Sequence, residues 1–410
     1  MRVDNQDRLT LVDSLLDASH VLTLEQLPGK VGRCAARAGM RNTEIYLADL
    51  QQDTLHLLTG VGLDAGQPAD RAGATLLIDD ADAGRAYQYL RPVPDRAPAA
   101  GASGSRRWWV PLLDGTERIG ALGADLDLGG PHRIKDLERL AQLVTLLVVS
   151  AREQSDSYAR LVRNRPMNVA AEMQWHLLPP LTFSNHGVSL SAVMEPAYQI
   201  AGDTFDYGIA ADIVHLGLFD AMGHDVAAGL TANLAAAACR NHRRQNVALP
   251  DLGAAIEKTL IEHPFDKSRY LTAILAELDL STNELSWTNH GHHPPVVIRD
   301  NAWYSTLHCP PSHPLGTDLG LPATVCREQL RLGDRVLLYT DGITEARHPR
   351  DDTEFGLARL VDFLVHHAHT GLPLAEVLRR LIHGVLDYHH GHLSDDATVL
   401  LLETRADSHP

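Results

Sequence analysis

The sequence has few cysteines and lacks the short motifs of several large enzyme classes. Its four cysteines are Cys34, Cys239, Cys309 and Cys326, and no two of them form a CxxC pair. This spacing predicts neither a zinc site nor a disulfide framework, and it favours a reducing compartment. The HExxH and GxxxxGK[ST] motifs are also absent, so zinc-protease and P-loop interpretations have no support.

Long apolar runs and positive charge are scarce as well. The longest apolar run, residues 140–151, is well short of the ~20 residues that cross a bilayer. The first ten residues are mostly polar and do not predict a signal peptide. Lys and Arg total 36 against 52 Asp and Glu, a net charge of −16, which disfavours nucleic-acid binding. We therefore expect a cytoplasmic protein that binds neither nucleic acid nor membrane.

Four short acidic motifs, each next to an apolar run, are the most informative feature of the sequence. They read AGDTFD (201–206), LFDAMGHD (218–225), LLYTDGITEA (337–346) and LSDDATVLLL (393–402). A carboxylate at the end of a strand is held by a rigid element and stays accessible to solvent. Several such groups together form oxygen ligands for Mg²⁺ or Mn²⁺. Two ions close together would make a hydrolytic centre.

The chain is too long for one ordinary core, so two domains are expected. Residues 1–150 predict helices, a strand pair over 44–62, a hairpin over 108–128 and a long helix. The segments EIYLAD and WVPLLDGTERIGAL carry a resemblance to a GAF-type sensor domain. The resemblance implies a small-molecule or protein signal. The alternative is an α+β dimerisation module without a ligand.

Residues 151–180 are predicted to be a helical connector. Apolar residues follow heptad spacing from Leu137 to Leu161, with Gln154 interrupting one row. This spacing indicates either a seam between two copies, and hence a homodimer, or a helix that covers its own domain. Arg165–Pro166 is expected to end the helix before a second short helix within 167–180.

Residues 181–405 predict antiparallel strands separated by pairs of helices, typical of an α/β sandwich. The ordered strings PAYQIAGDTFD, LFDAMGHD, LRLGDRVLLYTDGITEAR and DDATVLLLE resemble the SpoIIE/RsbU branch of the PPM metal-dependent protein serine/threonine phosphatases. The fold class is then α+β, and the resemblance implies an α-β-β-α sandwich for this domain.

The resemblance also implies a centre of two Mn²⁺ or Mg²⁺ ions. The residues that match catalytic positions are Asp203, Asp220, Asp341 and Asp395, and those that match metal ligands are Asp203, Asp220, Ala221 through its carbonyl, Asp341, Asp395 and Asp396. Asp395 corresponds to the last ligand of the family, and its neighbour Asp396 could take its place. His224 and His292 either donate a proton to the leaving oxygen or fix a loop. Ala201 and Asp225 replace glycines of the family pattern.

The function implied is hydrolysis of phosphoserine or phosphothreonine on a regulatory protein of the anti-sigma-factor antagonist type, under control of the first domain. One alternative is a non-catalytic interaction module that keeps the fold as a docking surface. Another is a metal-dependent hydrolase of small phosphates.

Overall fold

A computed structural model describes residues 12–17, 20–60, 74–96, 105–127, 131–263, 270–389, 393 and 395–405. The chain divides into two compact units, Met1–Pro166 and Met167–Pro410. The boundary falls inside the predicted connector, 151–180. Each unit has hydrophobic clusters of its own and is described separately below.

Unit 1 is built on one antiparallel sheet with the strand order β3-β2-β1-β6-β5-β4. Its strands are β1 (Met40–Ala48), β2 (Thr54–Leu57), β3 (Thr75–Leu77), β4 (Val93–Pro94), β5 (Ser105–Asp114) and β6 (Glu117–Asp127). The predicted β1–β2 and β5–β6 hairpins are both confirmed. Gly115, in the second turn, has a φ of +58°, a conformation that glycine adopts without strain.

Helices cover both faces of this sheet. They are α1 (residues 12–17), a short 3₁₀ turn (Leu24–Gln26), α2 (Leu27–Arg37), α3 (Asp82–Tyr89), α4 (Pro131–Arg152) and α5 (Asp156–Leu161). Of these, α2 and α4 pack on one face of the sheet and α3 packs on the other. The helix that was expected to run to Arg165 ends earlier, because Ser155 starts α5 by accepting a hydrogen bond from the Tyr158 backbone N–H. The helix is therefore interrupted already between Arg152 and Asp156, before the break that the sequence predicts at Arg165–Pro166.

The heptad residues lie inside unit 1. Leu137, Leu140, Val144 and Leu161 are at most 1 % exposed and pack in the same cluster as Leu27. This burial supports the second interpretation of the heptad pattern, a helix that covers its own domain. The predicted homodimer would need a different surface.

Unit 2 contains two antiparallel sheets. The five-stranded sheet has the order β15 (Cys326–Gln329), β12 (Glu284–His290), β11 (Leu271–Asp279), β10 (Ile213–Ala221) and β9 (Asp203–Ala210). The six-stranded sheet has the order β14 (Ala302–Thr306), β13 (Val296–Arg299), β16 (Arg335–Tyr339), β17 (Ala397–Thr404), β8 (Val188–Glu195) and β7 (Thr182–Ser184).

Helices cover the outer faces of both sheets. They are α6 (Val169–Leu177), α7 (Val226–Arg244), α8 (Leu249–Glu262), α9 (Asp341–Thr344), α10 (Gly356–Ala368) and α11 (Leu374–Tyr388). Successive side chains along each strand point to opposite faces of its sheet, and together they form three apolar layers. Leu218 and Leu400 pack between the sheets, Phe219 packs under α7 and α8, and Leu401 packs under α10 and α11. The predicted α-β-β-α sandwich is confirmed for unit 2.

One expectation about the cysteines is wrong. Cys309 and Cys326 are joined by a disulfide that closes the loop before β15, whereas Cys34 and Cys239 are free and buried. The two bonded residues are 17 positions apart, and no local pattern marks such a pair. Among the helices in the described ranges, none is long and apolar enough to cross a membrane.

Candidate metal centre

Two predicted ligands lie side by side at one end of the five-stranded sheet. Asp203 is the first residue of β9 and Asp220 lies near the end of β10, where the two residues are direct partners in the antiparallel register. Asp203 is 2 % exposed, and the Asp220 side chain is 24 % exposed. The hairpin therefore presents one buried and one accessible carboxylate at the same edge.

The six-stranded sheet brings the remaining carboxylates to this edge. Asp341 begins α9 directly after β16, and Asp395 and Asp396 directly precede β17. Two hydrogen bonds join the sheets here. Thr340 Oγ1 donates to Asp203 Oδ2 at 2.6 Å, and the Gly202 backbone N–H donates to Asp396 Oδ2. Asp396 is buried and Asp395 is exposed, so Asp395, which the sequence favours as the last ligand, and its neighbour Asp396 have different surroundings.

Close backbone packing explains two glycines of the acidic motifs. A Cβ on Gly342 would overlap the carbonyl oxygen of Asp396, and a Cβ on Gly202 would overlap that of Gly223. Gly342 is needed for this close approach, because its φ does not lie in the left-handed region. Ala201, which replaces a glycine of the family pattern, is fully buried, and its methyl group is accommodated.

The carboxylates repel one another. Burial raises the pKa of Asp220 to about 7, and the charges of Asp341, Asp395 and Asp396 contribute to this rise. Burial, followed by the charge of Asp220, holds the pKa of Asp203 well above its ordinary value. Burial is also the main reason that the pKa of Asp396 is raised to about 6. The charge of at least one neighbouring carboxylate therefore contributes to each of these raised pKa values.

No lysine or arginine occurs in the acidic motifs themselves, residues 201–206, 218–225, 337–346 and 393–402. Hard oxygen donors that repel each other and have no basic residue in their own segments suit divalent cations such as Mg²⁺ or Mn²⁺. Within the described part of the chain, however, no three His, Cys, Asp or Glu side chains converge on one point as a metal ion requires. The donor chemistry of these oxygens fits two divalent cations.

A buried histidine lies behind Asp220. His292 Nε2 is 3.0 Å from the carbonyl oxygen of Tyr339, and its Nδ1 is 2.6 Å from Thr272 Oγ1. Burial lowers the pKa of His292 to about 4, so the ring is neutral at pH 7. Because a carbonyl only accepts, Nε2 carries the proton and Nδ1 accepts from the Thr272 hydroxyl. Both ring nitrogens are therefore occupied, which supports the loop-fixing interpretation of His292.

The structure gives different surroundings to the three other polar residues that the sequence places near the centre. His224 is exposed and its charge lowers the pKa of Asp396, so a role in proton transfer stays a hypothesis. Asp225 accepts a hydrogen bond from the Ala228 N–H at 2.9 Å and caps α7, which accounts for its replacement of glycine. Asp206 is fully buried and pairs with Arg240 and Arg243, so it anchors α7 to β9.

Sequence reasoning missed a buried glutamine that holds the Asp203 segment. Gln174 on α6 is fully buried. Its Nε2 donates to the carbonyl oxygens of Ala201 at 3.2 Å and Asp203 at 2.7 Å, and its Oε1 accepts from the Ala201 N–H. Trp175 Nε1 adds a hydrogen bond to the Ala197 carbonyl. No local pattern distinguishes Gln174 from Glu172 and His176, the other polar residues of the same helix.

The sequence profile of stage II sporulation protein E (SpoIIE) matches residues 211–405. Unit 2 contains a SpoIIE-type phosphatase domain. The SpoIIE match includes Asp220, Asp341, Asp395 and Asp396, and it begins after Asp203.

The SpoIIE-type domain is also similar to individual phosphatases. Phosphoserine phosphatase RsbU of Bacillus subtilis (strain 168) is 22 % identical over 252 residues, which cover 58 % of this chain and 70 % of RsbU. The SiaA-PP2C domain of Pseudomonas aeruginosa is 22 % identical, with a TM-score of 0.49, over 57 % of this chain and 94 % of that domain. The catalytic domain of serine/threonine phosphatase PstP, solved with two manganese ions, is 18 % identical, with a TM-score of 0.38, over 53 % of this chain and 99 % of that domain.

Proposed function

We propose that the chain is a metal-dependent protein serine/threonine phosphatase that removes phosphate from a regulatory protein of the anti-sigma-factor antagonist type. The observation that supports this most directly is the group of five aspartates whose own segments contain no lysine or arginine. Such a group repels a phosphate anion unless cations are bound. Bound there, two Mn²⁺ or Mg²⁺ ions would activate water and offset charge on the phosphoryl oxygens.

The proposed ligands are the side chains of Asp203, Asp220, Asp341 and Asp395 or Asp396, with the carbonyl of Ala221. The chain's own contribution is to hold these groups in place. Thr340 orients Asp203, and the Gly202 N–H orients Asp396. Thr272 Oγ1 lies 3.5 Å from Asp220 Oδ2 and donates a hydrogen bond to the neutral His292 ring, so His292 fixes the residue next to Asp220.

Unit 1 is proposed to act as a GAF-like sensor that controls unit 2 in response to a small-molecule or protein signal. The order of its helices and strands supports this role. A cytoplasmic location and a homodimer belong to the same proposal. The name of RsbU, a phosphoserine phosphatase, supports a phosphoprotein as the substrate of this chain.

The test is a phosphatase assay on the full chain with a phosphoserine peptide, p-nitrophenyl phosphate and ATP as separate substrates. We expect hydrolysis of the peptide in Mn²⁺, loss of activity in excess EDTA and recovery when Mn²⁺ is restored. Asp341→Asn should abolish turnover. The matched control Asp362→Asn, an exposed residue on α10, should not.

Three other results of this assay would contradict the proposed function. Full activity in EDTA would rule out the metal centre. No hydrolysis of any substrate in Mn²⁺ would favour the non-catalytic docking module. Preference for ATP over the phosphopeptide would favour a hydrolase of small phosphates.

A further inference from the structure

Three exposed apolar side chains surround the strand end that carries Asp220. Met222 is 47 % exposed, Val226 is 53 % exposed and Tyr270 is 38 % exposed. Single exposed apolar residues are ordinary on protein surfaces. These three, which we call the apolar rim, belong to two adjoining segments beside one proposed catalytic carboxylate.

Backbone contacts tie the rim to the centre. Met222 directly follows Ala221, the last residue of β10, and its N–H donates to the Tyr270 carbonyl at 3.1 Å. Tyr270 directly precedes β11, where Leu271 is the register partner of Ala221. Val226 begins α7 directly after the Asp225 cap. The rim therefore flanks, along the backbone, the strand end that carries Asp220.

Hydrogen bonds hold the backbone of the strand that follows Tyr270. Leu271 exchanges two backbone hydrogen bonds with Leu315, at 3.0 and 2.9 Å. The loop that contains Leu315 is held to α8, because buried Glu257 accepts from the Asp318 N–H at 3.0 Å and lies 3.0 Å from His313 Nε2. The backbone that follows Tyr270 is therefore held by hydrogen bonds, so a partner that covers Tyr270 does not first have to order this strand.

We propose that the apolar rim docks apolar residues that flank the phosphorylated serine or threonine of a protein substrate. This inference deepens the proposed function and rests on it. The occupant follows from this position, because the residues on either side of a phosphoserine or phosphothreonine that reaches Asp220 come close to the strand end that the rim flanks. Residues 218–228 contain no lysine or arginine, so this segment offers no cation to a nucleotide, whereas Met222 adapts well to apolar side chains.

The test compares two phosphoserine peptides of equal length and net charge on the full chain in Mn²⁺. One has Leu and Val on both sides of the phosphoserine, and the other has Ser and Asn. We expect wild type to favour the apolar peptide about tenfold in kcat/KM. The double variant Met222→Ser, Tyr270→Ser should bring this ratio to about one. Met222→Ser alone should lower it in part.

Leu332→Ser is the matched control. Leu332 is 58 % exposed, but it precedes β16, at the opposite end of that strand from Asp341. This variant should keep the wild-type ratio. Equal kcat/KM for both peptides in wild type would overturn the docking inference and leave the phosphatase assignment standing. Retention of the tenfold ratio in the double variant would overturn it too. If wild type hydrolyses neither peptide nor p-nitrophenyl phosphate, the proposed function fails and the docking inference fails with it.

Discussion

Two aspartates of unit 2 illustrate how neighbours decide the role of a residue. Asp206 and Asp220 both belong to the acidic motifs, and the sequence places both near the centre. Asp206 is fully buried between Arg240 and Arg243, at 2.6 and 2.8 Å, and serves as an anchor. Asp220 has no arginine partner among the described residues; burial, together with the charges of other carboxylates, raises its pKa to about 7. The arginines are more than 30 residues from Asp206 in the chain, so local pattern could not separate the two roles.

The first prediction concerns Asp220→Asn. The substitution keeps the shape of the side chain and removes its charge, so it should lower turnover more than about 100-fold. It should also stabilise the metal-free protein at pH 7.5, because an ionised carboxylate no longer faces Asp341 and Asp395. A rise in pKa from the ordinary 3.8 to about 7 corresponds to at most about 4 kcal/mol. Thermal unfolding in EDTA, beside the phosphatase assay, measures both effects.

The sign of the pH dependence follows from the same pKa. Between about pH 4 and pH 7, the folded protein binds more protons at Asp220 than the unfolded chain does. The free energy of unfolding of the metal-free protein therefore decreases as the pH rises through this window. The wild-type melting temperature in EDTA should therefore decrease across this window, and the decrease should be smaller in Asp220→Asn. An equal slope in both proteins would mean that Asp220 titrates normally and that the carboxylates do not interact.

At the scale of elements, the sequence placed helices and strands well because periodicity is local. It identified the four strand-end motifs and both hairpins of unit 1. It did not find the contacts between elements. Thr340 and Asp203 are 137 residues apart, and Gln174 and Asp203 are 29 apart. The heptad spacing of α4 and α5 was ambiguous for a related reason, since a buried stripe looks the same whether its partner is its own domain or a second copy.

The second prediction concerns the attachment of α6 to the centre. Gln174→Leu should leave backbone groups of Ala201 and Asp203 without partners, at a cost of about 1–3 kcal/mol for each buried group. Because Asp203 then loses its backbone support, the Mn²⁺ concentration that gives half-maximal activity should rise about tenfold. Metal titrations of phosphatase activity measure this shift.

His176→Leu is the control on the same helix, because the His176 side chain is 73 % exposed. It should leave the Mn²⁺ dependence unchanged. If Gln174→Leu lowers the melting temperature but keeps the wild-type half-maximal Mn²⁺ concentration, Gln174 stabilises the fold without positioning Asp203.

At the scale of the whole molecule, each unit encloses its own hydrophobic core, and the proposed ligands all lie in unit 2. Leu140 is 1 % exposed in the core of unit 1, and Leu400 is fully buried between the two sheets of unit 2. A ligand that binds only the folded form stabilises the part of the protein that holds its site. Mn²⁺ should therefore stabilise unit 2 against unfolding and leave the stability of unit 1 unchanged.

The third prediction uses this pair of buried leucines. Truncation of either to alanine should cost about 2–5 kcal/mol, which lowers the melting temperature of its unit by on the order of 10 °C. Calorimetry of the full chain should show two transitions, of which only one rises with Mn²⁺. Leu400→Ala should lower the Mn²⁺-sensitive transition, and Leu140→Ala should lower the other. If Leu140→Ala lowers both transitions equally, or if Mn²⁺ raises both, the two units unfold as one cooperative structure, and a signal bound by unit 1 could then reach the carboxylates through shared stability alone.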